Sequence, residues 1–300
     1  MKNNNNELEI EIEKSIKYKQ IKIIVWDLFG GGQNSVYKAL KDNPNYEIYT
    51  FDLYPEKYHE NQHIIDLSLD ITTLKEYFSK FPKPDIIAAS PLCQSFSSIL
   101  SLKGGGTCFW EYQDSSKTAL KERSIDDFNN LKNGFTRNFD ANKQLFIKRL
   151  GENCINNTID IIKEFKPKYW YIENPKGSLM WKFIQYNRKD FYKADFIFNK
   201  TYYGEYGYLQ AKPTIFLSNV YLNLKNKNNL KTIKKDGYKE IYKNNVLISK
   251  MLIGDRLLPS LKNYRYKSIG NFQSKEAAMI SYIPADLIKT IFISFNLSKE

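Results

Sequence analysis

Residues 21–29, IKIIVWDLF, run directly into GGGQNS and then VYKAL, and this stretch limits the possible folds more than any other. A β-branched apolar run this short suits a buried strand better than a helix, and the glycines behind it allow a tight turn. The order therefore reads strand, glycine turn, helix. Further runs repeat the theme: YEIYTFDLYP puts Asp52 at the end of a second strand, 25 residues after Asp27, and HIIDLSLDI follows with Asp66 and Asp70. PDIIAAS (84–90) and KYWYIEN (168–174) read as two more buried strands, each preceded by a helical segment. Strands that are continuously apolar and alternate with helices belong to a parallel sheet covered on both faces, so the chain is expected to be α/β.

The remaining stretches divide by pattern. Residues 138–165 are amphipathic and are stopped as a helix by Lys-Pro, and a last helix is expected after Pro284, returning to the main domain. Residues 101–134 contain KGGGT and SSK with little periodicity, and read as a long mobile loop with short helical pieces. Residues 1–20 form an extension to which no chemistry is assigned. At 300 residues, with 42% hydrophobic and 26% charged residues, the composition excludes a disordered or collagenous chain. No apolar run approaches the roughly 20 residues of a bilayer span, and MKNNNNELEIEIEK lacks the apolar core of a secretory signal, so no membrane association and a cytoplasmic location are expected. Cys93, Cys108 and Cys154 are odd in number and without CxxC spacing. That argues against a disulfide framework or a zinc knuckle and leaves a single reactive thiol; no metal is expected.

A net charge of +12 points to a polyanionic partner, although Lys- and Asn-rich usage also fits drift in an AT-rich genome. Distribution separates the two. From Tyr221 to Lys267 twelve Lys and Arg stand against Asp236, Glu240 and Asp255, whereas the rest of the chain carries 33 against 30. Drift spreads lysine evenly. The segment is therefore expected to face nucleic acid, with Lys231, Lys234, Lys235 and Lys239 as phosphate contacts; a solvated basic face is the alternative.

Three motifs carry chemistry. DLFGGG lets the backbone approach a nucleotide-like ligand closely, and an acidic residue one strand later takes ribose hydroxyls, positions held here by Asp27 and Asp52. Gln33 and Ser35 replace the later glycine of the dinucleotide pattern, which favours a ligand with ribose and no phosphate. S-adenosylmethionine fits; a structural tight turn is the alternative. SPLCQSFS (90–97) begins where a buried strand ends, the place at which open α/β sheets hold substrates. A thiol there, lowered in pKa by a following helix N-terminus, serves as a nucleophile, whereas Cys93 alone also reads as a buried small hydrophobe, the reading given to Cys108 and Cys154. IENPKG (172–177) ends the neighbouring strand in the same way. Glu173 is therefore expected beside Cys93 despite the 80 residues between them, with Asn174 and Pro175 fixing the turn.

Taken in order, DLFGGG, Asp52, Asp70-Ile71, SPLCQSFS, IENPKG, TYYGEYGYLQAKPT and EAAMISYIPADLIKTI resemble the DNA (cytosine-5) methyltransferase family, especially its compact phage-like branch, from about Ile21 to Phe292. The resemblance implies a class I S-adenosylmethionine-dependent methyltransferase fold, a Rossmann-like, mostly parallel seven-stranded sheet, with a small basic target-recognition insertion. It implies that Asp27, Phe29, Gly30, Gly32, Asp52, Asp70, Ser90 and Pro91 form the S-adenosylmethionine site, Asp52 holding the ribose and Asp70 the adenine. Cys93 adds to carbon 6 of cytosine, and Glu173 contacts N3 and the exocyclic amine. Gln94, Ser97, Asn174, Gln210 and Lys212 are implied to face the DNA. Leu92 stands where the family commonly has a second proline, Glu-Asn-Pro replaces Glu-Asn-Val as in the phage-like branch, and Gln210 and Lys212 represent the Gln-x-Arg-x-Arg element.

The expected organisation is an extension (1–20), a catalytic domain (21–220), a target-recognition segment (221–266) and a C-terminal helix returning to the catalytic domain (267–300). The expected product is 5-methylcytosine in double-stranded DNA, formed on a flipped-out base by a monomer, with a cognate restriction enzyme as a candidate partner. Two rivals stand beside it: a tRNA cytosine-5 methyltransferase of related fold, which shares the Cys and Glu chemistry, and a catalytically silent DNA-binding protein. Amino-group methylation is disfavoured, because its proline-rich loop ends in an aromatic residue where this chain has Cys93.

Overall fold

A computed structural model of the chain describes residues 22–30, 34–53, 59–97, 109–130, 140–252 and 282–297. The expected extension at 1–20, together with Gly32, Cys108 and residues 253–281, lies outside the described residues.

The centre of the fold is a seven-stranded sheet. In chain order its first strands are β1 (Ile23–Leu28), β2 (Tyr46–Asp52), β3 (Gln62–Ile64) and β4 (Ile86–Ala89). After a hairpin of β5 (Trp110–Tyr112) and β6 (Leu120–Glu122) come β7 (Tyr169–Pro175), β8 (Ile197–Tyr202) and β9 (Pro213–Ser218). The spatial order is β3-β2-β1-β4-β7-β9-β8. β1, β2, β3, β4 and β7 are parallel neighbours, while β9 runs antiparallel to both β7 and β8. The parallel sheet expected from the apolar runs is present, with the seven strands that the resemblance implied. β1, β4 and β7 sit at its middle with their central residues buried, which explains their unbroken apolar runs.

Helices cover both faces. On one side, α1 (Ser35–Leu40) packs against the C-terminal helix α6 (Ala285–Leu297), whose Leu287, Ile288, Ile291, Phe292 and Phe295 join Val25, Ile48, Tyr169 and Phe216 in one core. The helix after Pro284 thus packs on the main sheet. On the other side, α2 (Ile71–Phe78) and the long α4 (Ala141–Phe165) bury Leu74, Phe78, Ile155 and Ile159 against Trp26, Phe51 and Ile172. α4 begins where Asp140 accepts from the Lys143 amide at 2.7 Å, a side-chain cap on an otherwise unpaired donor.

Two parts of the chain differ from the sequence expectation. The stretch read as a mobile loop holds the β5–β6 hairpin and a short helix, α3 (Ile125–Asn130). The hairpin is clamped to α4 by the buried Lys148, which bonds Glu122 at 3.0 Å and Glu152 at 2.6 Å and lies 4.1 Å over the Trp110 ring. Strands of three residues leave no periodic signal, so this order is tertiary in origin. Beyond Asn219, where periodicity fades, β10 (Leu230–Lys235), β11 (Tyr238–Lys243) and β12 (Val246–Leu252) form a separate antiparallel sheet.

Candidate active site

Adjacent parallel strands set the site. β4 and β7 pair with Ala89 opposite Ile172, so the chain leaving β4 at Ser90 runs beside Glu173. The Ser90 amide still donates to the Leu28 carbonyl at 3.2 Å, and Pro91 is buried. Asn174, only 1% exposed, donates its Nδ2 to the Pro91 carbonyl at 3.0 Å, tying the end of β7 to the loop that carries Cys93. The side chain singled out for DNA contact is thereby placed under the loop.

The loop is anchored from below as well. A single 3₁₀ turn, Gln94–Phe96, follows Cys93. Phe96 is fully buried, stacks on Trp110 with centroids 5.2 Å apart, and accepts at its carbonyl from the Leu179 amide at 2.8 Å. Ser95 presses on α4 at Gly151, where a β-carbon would collide with the serine side chain. Only glycine permits that approach in mid-helix. Gln94 is exposed and Ser97 half-buried at the rim of this turn.

Around Cys93 the charges converge. Glu173, 6% exposed, accepts at Oε1 from the Tyr203 hydroxyl at 3.0 Å. Lys212, which leads into β9, places Nζ 4.1 Å from the centroid of the same Tyr203 ring. Burial pushes the Glu173 carboxyl above its ordinary value, against the pull of Lys212 and Tyr203. Burial lowers the Lys212 ammonium, while Glu173 and Cys93 hold it up. The Cys93 thiol is raised by burial first and by the Glu173 charge second, with Lys212 opposing. The sequence expectation of a thiol lowered by a following helix is therefore corrected: a three-residue turn has no substantial dipole, and desolvation wins. Cys154, on α4 and pushed up to about 12 by burial, Asp66 and Asp52, is an inert core thiol; its plainer reading stands.

The glycine turn leaves β1 on the same side of the sheet. Asp27 is 4% exposed, and its Oδ2 has no hydrogen-bond partner among the described residues. Burial, then the charge of Asp52, raises its carboxyl well above the ordinary range. Phe29 turns the chain with a φ of 67°, and at Gly30 a β-carbon would strike the Asp27 carboxylate. Asp52 ends β2, half-buried. Asp70 is exposed and caps α2, accepting from the Thr72 amide at 2.9 Å with Oδ1.

The four lysines singled out for phosphate do not share one surface. Strand alternation puts Lys231 and Lys235 on one face of the small sheet, the face of Glu240, whose carboxylate pairs with Lys250 at 3.4 Å. Lys234 and Lys239 stand directly opposite each other on the other face, which meets the main fold where Lys243 Nζ donates to the Gly204 carbonyl at 2.9 Å. Gln210 is half-buried in the turn before Lys212. Sequence reasoning missed Tyr203, Phe96 and Gly151; only the close glycine-to-serine approach and the tyrosine's place next to the β8–β9 turn reveal them.

Among the described residues no group of three or more His, Cys, Asp or Glu is placed to hold a metal ion, and no helix is long and apolar enough to cross a membrane. No family model matches the sequence, and no curated protein sequence matches it. Among solved structures, the chain is similar to a methyltransferase of Entamoeba histolytica, EhMeth, at 15% identity and a TM-score of 0.39, over 72% of this chain. The match spans 62% of that neighbour's length. A short-chain dehydrogenase family protein of Francisella tularensis matches over 44% of this chain and 46% of its own, at 22% identity and a TM-score of 0.22.

Proposed function

We propose that the chain is an S-adenosylmethionine-dependent methyltransferase that places a methyl group on carbon 5 of cytosine in double-stranded DNA. The observation that supports this most is the convergence of Cys93, Glu173 and Lys212 at the carboxyl ends of β4 and β7. It joins the ordered resemblance to cytosine-5 methyltransferases carried by DLFGGG, SPLCQSFS and IENPKG.

The turn after β1 fits the cofactor. Asp27 keeps a buried carboxylate oxygen without a partner among the described residues, and the absence of a side chain at Gly30 lets the backbone lie directly against that carboxylate. In this reading Asp27, Phe29, Gly30, Gly32, Asp52, Asp70, Ser90 and Pro91 hold S-adenosylmethionine, which supplies a methyl group on an electrophilic sulfonium. Carbon 5 of cytosine is a poor nucleophile, so Cys93 must first activate it. The Cys93 sulfur forms a bond to carbon 6 while Glu173 delivers its proton to N3, and the ring becomes an enamine with no net charge. Once carbon 5 carries the methyl group, its proton passes to solvent water, the double bond re-forms as the carbon–sulfur bond breaks and the thiolate returns, and the N3 proton goes back to the Glu173 carboxylate.

Electrostatics suits these roles. Burial shifts Glu173 toward its protonated form, and with that proton in place the repulsion that adds to burial in raising the thiol is removed, leaving Lys212 to favour the thiolate. The same proton distribution gives a nucleophile and an acid side by side. The base must leave the duplex at a cost of about a few kcal/mol, and residues 221–266 serve as the target-recognition segment whose lysines meet phosphates.

The test is methyl sequencing of DNA from cells expressing the chain, with a competition between duplex DNA and tRNA for radiolabelled methyl transfer. The reading predicts 5-methylcytosine at a defined DNA site and no label in tRNA. Label confined to tRNA would transfer the chemistry to RNA, and label in neither would leave a silent binder.

A further inference from the structure

Tyr203 joins the two groups on which the Cys93 site depends. It is fully buried, it opens the 3₁₀ turn Tyr203–Tyr206 after β8, and its amide donates to the Lys212 carbonyl at 3.4 Å. An edge-on contact with Tyr208, centroids 5.5 Å apart at 88°, fixes the ring. From that position the hydroxyl reaches Glu173 Oε1 while the ring face carries Lys212 Nζ.

We propose that Tyr203 is a positioning residue for the Cys93–Glu173 pair: its O–H occupies Oε1 of Glu173, reserving Oε2 for the proton that passes to the substrate, and its ring holds Lys212 beside the thiol. The proton balance follows. Before reaction the Glu173 proton sits on Oε2; when it moves to the ring nitrogen, the negative charge left on the carboxylate is held by the Tyr203 hydrogen bond and by Lys212. A carboxyl without that donor has two equivalent oxygens and two rotamers, and half of its encounters present the wrong one. Hydrogen bonding to the charged form favours that form, so Tyr203 makes Glu173 a stronger acid than burial alone would leave it. Four titratable groups act on the carboxyl: Tyr203 from the turn after β8, Lys212 from the start of β9, Cys93 from the loop after β4, and Tyr171 on its own strand.

This inference rests on the reading that Cys93 and Glu173 act together, and its test needs neither DNA nor cofactor, so the two fail separately. The rate of Cys93 alkylation by iodoacetamide is followed from pH 5 to 10 by peptide mass, with the buried Cys154 as an internal monitor of folding. Because an ionised Glu173 raises the thiol, the logarithm of the wild-type rate should show an inflection below the thiol's own titration, where Glu173 loses its proton. Glu173→Gln should abolish that inflection. Tyr203→Phe should move it to higher pH by about one unit, a tenfold change in acid strength, and should have no such effect in the Glu173→Gln background. Replacing Tyr203 with 3-fluorotyrosine, a stronger donor of the same shape, should move it the other way, which keeps the test open where the phenylalanine variant exposes Cys154. A wild-type profile without the lower inflection, a Tyr203→Phe profile that superimposes on wild type, or a shift that persists with Gln at 173 would each overturn the proposal.

Discussion

Replacing Asp27 with Asn should make the protein more stable, and increasingly so as the pH rises. The carboxylate lies inside β1 between Thr50 and Ala88, 4% exposed, with one oxygen unpartnered among the described residues and the Asp52 charge nearby. Its pKa is raised on folding, above an unfolded value of about 3.9, so the native state binds the proton more tightly than the unfolded chain does. Between the two values the native state therefore loses stability with rising pH, at a slope approaching about 1.4 kcal/mol per pH unit for one proton. Below the unfolded value there is no penalty, and above the folded value the slope returns to zero. Asn keeps the shape and removes the titration. In paired urea unfolding of wild type and Asp27→Asn from pH 4 to 8, the difference should be smallest at pH 4. It should then climb in favour of the variant at that slope until Asp27 ionises. A difference that stays flat with pH would refute the argument from desolvation, and one that moves against the variant as pH rises would mean that the native carboxylate is charged and paired.

The remaining predictions concern contacts that the sequence did not announce. Gly151→Ala gains about 1 kcal/mol of helix propensity but drives a β-carbon into Ser95, an overpacking that costs about 1–3 kcal/mol. Thermal unfolding should show a less stable protein with Ser95 present and a more stable one in a Ser95→Gly background; stabilisation in both would mean that the loop does not press on the helix. For the small basic sheet, the double change Lys234→Gln and Lys239→Gln and the double change Lys231→Gln and Lys235→Gln report on opposite faces. If one face meets DNA, only its pair should flatten the salt dependence of binding, by about 0.9 log units for each phosphate that is no longer neutralised, and equal slopes for both would return these lysines to a solvated surface.

What the sequence disclosed follows from where its signal comes from. β1, β4 and β7 are flanked by other strands and covered by helices on both faces, so selection for burial writes itself into IIVWDL, IIAA and YWYIEN without any long-range knowledge. The nearness of Cys93 and Glu173 was legible for the same reason, because parallel neighbours end on the same side. The small sheet was not. β10 and β11 mix lysine with single apolar residues, β10 has no fully buried position, and β12 exposes the consecutive Val246, Leu247 and Ile248, so no period-two pattern survives. Tyr203 and Gly151 were hidden differently: each matters through one contact with a residue far along the chain, Glu173 or Ser95, and nothing local distinguishes them from other tyrosines and glycines. The Cys93 thiol shifts opposite to the sequence expectation because a sequence shows that a turn follows the thiol, and not that the turn spans only three residues.

The covalent role of Cys93 is the claim on which the functional account depends most. Fluorine at carbon 5 cannot leave as a proton does, so once the methyl group has been transferred the carbon–sulfur bond has no way to break. Duplex DNA carrying 5-fluorocytosine at the target, incubated with the protein and S-adenosylmethionine, should give a complex that survives denaturation, with the DNA mass on the peptide containing Cys93. Cys93→Ala should abolish the complex, and Cys154→Ala should leave it intact. A complex dissolved by salt alone, formed on a target whose unfluorinated version the protein methylates, would contradict the covalent mechanism.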